Sequence, residues 1–359
     1  MVNRLGNNSF LARTWHSLQR DVDGFVGRFA PTAPPVPGLY TYHLDAEYGQ
    51  RRLHLRVDTS GSGVLFVDVT DVIHLNATAV HMAALALADV PQARAESMLS
   101  RSLRGPEAAR LTQELASIYQ MIARLRRTDG TECPTCTLAA LERAPLFSTP
   151  PAAPYKVDLA LTYGCNNACA HCYNEPDRFD MASLSVTGWF RALDTLARVG
   201  VPHVIFTGGE ATLHPDLPRL IAYANQNGQI VGLNTNGRRL AHRPFAQQLA
   251  DAGLNHVQIT LGSSRPEVHN AVMHADAFEQ TMRGIDNALA CGLHTITNTT
   301  LMRSTADHVG EIIDFLYARG IRTFAMNGMI HAGGGFADPE AIPPDELAPI
   351  LVQVRDHAA

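Results

Sequence analysis

Lys156 is the only lysine in the 359 residues, so nearly all positive charge is arginine and no lysine Schiff-base chemistry is favoured. The arginine bias reads as base composition of the coding sequence rather than as a functional choice. Long hydrophobic runs are missing too. No window approaches the roughly 20 apolar residues of a membrane span. Met1 to Pro37, broken by Arg4, Arg13, Arg20, Asp21 and Asp23, has no apolar stretch of signal-peptide length. Cysteine is sparse at six residues, which excludes a disulfide framework in a chain of this size. Strong charge is absent as well. A net charge of −5 gives no general pull toward nucleic acid or anionic membrane. The locally basic stretch of Arg94, Arg101, Arg104, Arg110, Arg124, Arg126 and Arg127 reads as a solvated helix face. No paired-carboxylate, Ser/His/Asp or phosphate-loop motif is legible.

What is present is apolar residue enough, 46% of the chain, to bury a full core, and this length suggests two domains. Two proline-rich seams, Ala30-Pro-Thr-Ala-Pro-Pro-Val-Pro-Gly38 and Ser148-Thr-Pro-Pro-Ala-Ala-Pro154, read as linkers. They delimit a leader and linker over 1–38, a small domain over 39–147, a linker over 148–156, a larger domain over 157–335 and a helical segment over 336–359. In the small domain Leu39 to Leu44, Arg52 to Val57 and Val64 to Val69 predict a three-stranded sheet. Asn76 is a good N-cap for a helix from Thr78 to Ala88, and Pro91 and Pro106 suit the starts of two more. Strands followed by helices predict an α+β, winged-helix-like module.

From Val157 onward apolar strands alternate with amphipathic helices. Strands are expected at Val157 to Leu161, His203 to Phe206, Gln229 to Leu233, His256 to Leu261, Thr295 to Thr300 and Thr323 to Met326. Six such βα units predict an α/β fold, a partial (β/α)6 TIM-like barrel whose ligands sit beyond the carboxyl ends of the strands. The polar motifs fall there. The run Gly164-Cys-Asn-Asn-Ala-Cys-Ala-His-Cys-Tyr173 follows strand one, Thr207-Gly-Gly-Glu210 strand two, Asn234-Thr-Asn-Gly237 strand three and Gly262-Ser-Ser264 strand four.

Cys165, Cys169 and Cys172 are the most specific feature. Structural zinc sites close with four protein ligands and electron-transfer clusters use four cysteines. A compact trio therefore points to a four-iron cluster with one iron left without a protein ligand. The spacing resembles that of the radical S-adenosylmethionine (radical SAM) enzymes. That resemblance implies a [4Fe-4S] cluster on Cys165, Cys169 and Cys172, whose free iron is chelated by the amino and carboxylate groups of S-adenosylmethionine. An electron from the cluster then cleaves the sulfonium, and a 5′-deoxyadenosyl radical abstracts a substrate hydrogen. An electron donor such as flavodoxin or ferredoxin is implied as a partner. Reduced thiols imply a cytoplasmic location.

Gly208 and Gly209 allow close backbone approach to a ligand, and Glu210 adds a carboxylate that can bind a cationic group. By the same resemblance this turn receives the amino group of S-adenosylmethionine, Thr235 and Asn236 lie near the cofactor, and Thr260 and Ser263 reach its ribose or carboxylate. Three departures stand out. Relatives often carry aspartate where Gly262 stands and arginine near Met273, and His171 replaces the usual aromatic residue. Gly333-Gly-Gly335 is expected to contact adenine or to form a simple loop. Other histidines, including His203, His214, His269 and His331, lack ligand spacing and read as structural, although His269-Asn270 falls where relatives contact the substrate side. Cys291 reads as a buried core thiol.

A second resemblance lies in the small domain. Gly63-Val-Leu-Phe-Val-Asp-Val-Thr-Asp-Val-Ile-His-Leu-Asn-Ala-Thr-Ala79 is similar to the core of the PqqD-like peptide chaperones of pyrroloquinoline quinone biosynthesis. This implies that a leader peptide adds a strand to the sheet edge. Cys133 and Cys136 form a pair open to three readings, a redox disulfide, free thiols or a half-site completed elsewhere, the last slightly favoured. The chain stops inside an apparent helix begun near Pro344, and the cysteine-rich SPASM extension of peptide-modifying relatives is not seen. The expected function is radical SAM modification of a ribosomally made precursor peptide. Modification of a tetrapyrrole, in haem or haem d1 biosynthesis, is the alternative within the superfamily. A non-catalytic iron-sulfur or zinc scaffold with a nucleic-acid-binding winged helix is the alternative from another class. No membrane or nucleic-acid partner is expected under the first reading.

Overall fold

The computed structural model, which describes residues 33–46, 49–67, 71–100, 106–127, 152–175, 177, 181–336 and 338–358, divides within the second proline-rich seam into units Met1–Ala152 and Ala153–Ala359. Cys133 and Cys136, with most of the leader, lie outside the described residues.

The first unit has four strands where three were expected: β1 (Gly38–Ala46), β2 (Gly49–Val57), β3 (Gly63–Val67) and β4 (Asp71–Leu75). They pair antiparallel in the order β1-β2-β3-β4. Val64 to Leu75 contains no glycine or proline, and only the weaker turn formers Asp68 and Asp71 mark where one strand ends and the next begins. Asn76 caps α1 (Ala77–Leu87) by accepting the Ala79 N–H at 2.8 Å; α2 (Gln92–Leu99) and α3 (Pro106–Arg127) follow. Leu53, Leu55, Leu65 and Val67 of the sheet share a core with Val80 and Met82 of α1 and Leu115, Ile118 and Leu125 of α3.

In the second unit each expected strand is present, its limits shifted by no more than about two residues: β5 (Lys156–Thr162), β6 (His203–Gly208), β7 (Ile230–Thr235), β8 (His256–Thr260), β9 (His294–Leu301) and β10 (Phe324–Gly328). All neighbours are parallel and lie in chain order. Consecutive strands are therefore joined by crossovers that carry the helices to one face and leave every carboxyl end on the same rim. The helices are α4 (Val186–Arg198), α5 (Leu217–Gln226), α6 (Arg243–Asp251), α7 (Pro266–Met273), α8 (Phe278–Ala290), α9 (Val309–Ala318) and α10 (Pro344–Ala358). Leu217, Leu220, Ile221 and Ala224 of α5 are buried at the spacing of one helical face.

Alternate strand residues take opposite sides. Val204, Phe206, Val231, Leu233, Val257 and Ile259 pack with Leu220, Leu249 and Ile285 in the main core. Their alternates face the barrel interior. Low in the barrel His203 and His256 meet Nε2 to Nε2 at 2.8 Å, in space left by Gly232, where a Cβ would lie 2.3 Å from the His256 ring. Cys291 caps the C-terminus of α8. It is half-buried against the core, not fully buried as expected.

Burial pushes His256 down to about 4, with help from His294 and Lys156. His269 is held at about 4 by burial and then by His171. Both folded values lie below the ordinary histidine value near 6.5. The unfolded chain therefore binds more protons in this range, and the stability these groups contribute is present above pH ~6.5 and lost as pH falls toward 4. Each can contribute a slope of up to about 1.4 kcal/mol per pH unit. Urea midpoints measured between pH 7 and 4.5 should fall, and His256→Gln should flatten that fall by one histidine's share.

Candidate active site

The segment 163–174 carries the cysteine trio with little regular structure of its own. Within it Cys172 N–H donates to Cys169 O at 3.1 Å, and Asn167 N–H points at Cys165 Sγ at 3.4 Å. Neighbouring elements supply the rest. Gly209 N–H donates to Thr162 O at 2.7 Å and Glu210 N–H to Gly164 O at 2.8 Å. A Cβ on Gly208, whose φ is +143°, would stand 2.1 Å from Thr162 O, and one on Gly209 would stand 2.4 Å from Tyr163 O. These glycines therefore let the turn lie on the cysteine loop, a role sequence reasoning had assigned to ligand approach.

Three further contacts close around the loop. Gly335 N–H donates to Cys172 O at 3.3 Å, and a Cβ on Gly333 would meet Asn174 O at 2.2 Å. Gly333–Gly335 thus packs on the far end of the loop as a 3-10 turn. At the C-terminus of α7, Met273 O and Val272 O accept the Ala168 and Ala170 N–H groups at 3.3 and 3.0 Å. Arg238 donates to Asn166 O and, at 2.8 Å, to Asn167 Oδ1. Asn236 Nδ2 reaches Asn166 Oδ1 at 2.6 Å.

Glu210 is buried at 1% exposure, and its carboxylate is fully engaged. Oε1 accepts from Thr212 N–H at 3.0 Å, Thr212 Oγ1 at 2.6 Å and Thr235 Oγ1 at 2.6 Å; Oε2 accepts from Asn236 N–H at 2.8 Å. The group expected to bind a cation thus ties the β6 turn to the β7 turn while lining the cavity of the thiols. Through Asn236 it reaches the cysteine loop.

The three thiols open into a cavity of about 190 Å³ lined also by Gly208, Gly209, Glu210, Thr235, Asn236 and Thr260. Much of the remaining wall is strand-end polarity: Thr207, Asn234, Gln258, Asn298, Thr300 and Asn327. Sheet register pairs Asn234 with Gln258, Thr260 with Asn298, and Thr300 with Asn327. An uncharged band of amides and hydroxyls therefore climbs across four strands. Sequence reasoning missed most of these residues, although a polar residue at every second place near a strand's carboxyl end, as in Gln258-Ile-Thr260 and Asn298-Thr-Thr300, was the available signal.

Ser263 does not line the cavity. It is fully buried, its Oγ lies 2.8 Å from His308 Nε2, and His308 Nδ1 lies 2.7 Å from Asp307 Oδ1. This Ser-His-Asp line was not legible in the sequence, because its members come from different loops. Ser263 Oγ also accepts the Arg265 N–H at 3.0 Å, and with no exposed surface the hydroxyl is a tie between loops rather than a nucleophile. His269 Nδ1 accepts the Gly262 N–H, and Asn270 Oδ1 caps the start of α8 through the Ala277 and Phe278 N–H groups; both are structural here.

Gly262 and Met273 prove to be one departure rather than two. A Cβ at 262 would lie 3.1 Å from Met273 Cε, while Met273 Sδ rests 3.4 Å from Cys169 Sγ. Methionine fills the space that a side chain at 262 would need.

The thiols fit an iron-sulfur cluster. Burial, then the neighbouring Cys165 and Cys172, push Cys169 up to about 12, so this sulfur becomes a thiolate readily only beside a cationic centre. Around one tetrahedral zinc ion, thiolates at 2.3 Å would stand about 3.8 Å apart. Among the described residues no three His, Cys, Asp or Glu side chains gather closely enough to hold one metal ion. Asn167 N–H supplies the outer donor that a sulfur ligand favours.

A three-thiol loop on the carboxyl rim of six parallel strands defines an α/β partial barrel with a cofactor site. Residues 159–316 match the Radical SAM superfamily, so the chain carries a radical SAM domain. It is 31% identical over 176 residues to the Fe-coproporphyrin III synthase of Methanosarcina barkeri, covering 49% of this chain and 44% of that protein. Over 163 residues it is 34% identical to the mycofactocin maturase MftC of Mycobacterium ulcerans, covering 45% and 43%. The chain thus spans less than half the length of these relatives. SuiB of Streptococcus suis, solved bound to its precursor peptide SuiA, shares the fold with a TM-score of 0.61 at 16% identity, covering 88% of this chain and 70% of that one.

Glu210→Gln should destabilise the cluster-free protein by about 2 kcal/mol or more, because at least one buried donor loses its acceptor. Gly209→Ala should lower iron and sulfide content after reconstitution. Unchanged melting of the cluster-free Glu210→Gln variant would instead assign the carboxylate to the ligand.

Proposed function

We propose that this chain reductively cleaves S-adenosylmethionine at a [4Fe-4S] cluster held by Cys165, Cys169 and Cys172 and directs the resulting radical at a ribosomally synthesised peptide. The observation that carries this is the opening of three neighbouring thiols into one cavity with the Gly208–Glu210 turn. When bound, the cluster and S-adenosylmethionine supply one-electron chemistry that ends in hydrogen-atom abstraction. The chain's own residues bind and orient.

Abstraction of a hydrogen atom needs no proton acceptor. The cavity's carboxylate, Glu210, is committed to four internal donors. Its imidazole, His171, is held down to about 4 by burial. The band Asn234–Gln258, Thr260–Asn298 and Thr300–Asn327 offers neutral donors and acceptors suited to S-adenosylmethionine and to a peptide's amides. At the mouth Tyr173 and Ile330 are exposed apolar surface, which a bound substrate would cover. The first unit, with β1 at an edge of its sheet, is suited to take an added strand from a leader peptide, and the likeness to the maturase supports a peptide target. An external one-electron donor is required.

The similarity to a coproporphyrin-forming enzyme favours a second reading, modification of a tetrapyrrole. Against it, among the described residues no arginine or lysine lines the cavity to pair with carboxylate side chains of a porphyrin.

The test is anaerobic reconstitution, reduction with dithionite and chromatography for 5′-deoxyadenosine. The wild type should yield product, and the triple variant Cys165→Ala, Cys169→Ala, Cys172→Ala should yield neither product nor cluster absorbance. Titration with Fe-coproporphyrin should leave its Soret band unshifted; a saturable shift would favour the tetrapyrrole reading.

A further inference from the structure

The cysteine loop has two sides. Cys165, Asn167 and Cys169 face the cavity, whereas Asn166, next to Cys165 in the chain, lines a different groove of about 550 Å³ against α6 and α8. That groove is cationic. Arg238, Arg239, His242 and Arg283 line it, and among the described residues no carboxylate does.

The hydrogen-bond partners of Arg238 and Arg239 carry no negative charge. Arg238 donates to Asn166 O, Asn167 Oδ1 and Gln280 Oε1, all uncharged acceptors. Arg239 donates to Thr212 O and lies over the Phe245 ring at 4.5 Å. Arg283 is exposed. In a chain of net charge −5, this concentrates positive potential on the back of the loop that carries the thiols.

We propose that this groove docks the electron donor, a small acidic one-electron carrier protein of the flavodoxin or ferredoxin kind. The proposal rests on the radical SAM reading above. A substrate covering Tyr173 and Ile330 closes the cavity side, so an electron has to arrive through another surface. The groove presents the cluster loop itself as part of its wall, so a docked carrier is separated from the thiols by that loop alone. In the transfer the carrier loses one electron and the cluster gains it, with no bond made or broken and no proton moved. Charge complementarity of this kind raises association rates by about 10 to 1,000-fold and falls off with salt.

The test uses the full-length, cluster-loaded protein with flavodoxin and a low-potential ferredoxin as probes. Oxidised flavodoxin, followed by flavin fluorescence, reports binding without turnover. Hydroquinone flavodoxin, reduced ferredoxin and dithionite are then compared as reductants for 5′-deoxyadenosine formation. At least one carrier should bind, more weakly as salt rises. Arg283→Glu should weaken binding about tenfold or more, and Arg283→Ala by less, and both should slow carrier-driven product formation, leaving dithionite-driven formation at the wild-type rate. Equal affinity of wild type and variants would overturn the proposal. So would failure of both carriers to bind or reduce the wild type, loss of the dithionite-driven reaction in Arg283→Glu, or charge-dependent capture of RNA or an acidic peptide by the groove in place of a carrier. If the wild type binds flavodoxin through these arginines yet makes no 5′-deoxyadenosine with dithionite, the docking surface stands and the radical SAM reading fails.

Discussion

The backbone packing of the cysteine loop is the constraint on which the second unit depends. A segment with so few hydrogen bonds of its own cannot fix three thiols in space, and ordering it costs about 1–2 kcal/mol per residue. The cost is met from outside. The turns after β6 and β10 press glycines against its two ends, the last carbonyls of α7 accept two of its N–H groups, and Arg238 and Asn236 hold its middle. Parallel strands in chain order make this possible, because they bring loops from across the sheet to one rim.

Polar groups that look like ligands in the sequence are often the fasteners of this arrangement. Glu210 belongs to a short motif and was legible as important, but only the coordinates show its oxygens taken up by Thr212, Thr235 and Asn236. Gly208 and Gly209 were legible as places of close approach, yet what approaches is the backbone of Thr162 and Tyr163. A glycine records that something is near, not what it is. Ser263 fails as a cavity residue for a related reason. At a strand's end a hydroxyl serves equally as a ligand or as an internal tie, and His308, distant in sequence, decides the matter.

The six barrel strands were legible because apolar alternation survives in each, and the cysteine trio was legible because its spacing is local. The division of Val64 to Leu75 into two strands was not, because no glycine or proline reinforces Asp68 and Asp71 there. Nor was the amide band, which exists only through register: Asn234, Gln258, Asn298 and Asn327 lie on separate strands and become neighbours when the sheet forms. Arg238, which bridges the cysteine loop and α8, is ordinary in sequence and acquires its role from contacts with Asn166, Asn167 and Gln280.

The coupling of Gly262 to Met273 bears on how such a site tolerates change. With a glycine at 262 the Met273 side chain can extend to Cys169, where its thioether adds apolar cover over that thiol. A charged residue at 273 would take that cover away and bring charge beside the sulfur; an acidic residue at 262 would crowd the methionine. The two positions therefore form a pair in which the present residues favour shielding of the thiols over ionic grip on a ligand. Under the function proposed above, recognition would then fall to the neutral amide band, whose donors and acceptors suit a polar ligand without the desolvation cost of a buried charge.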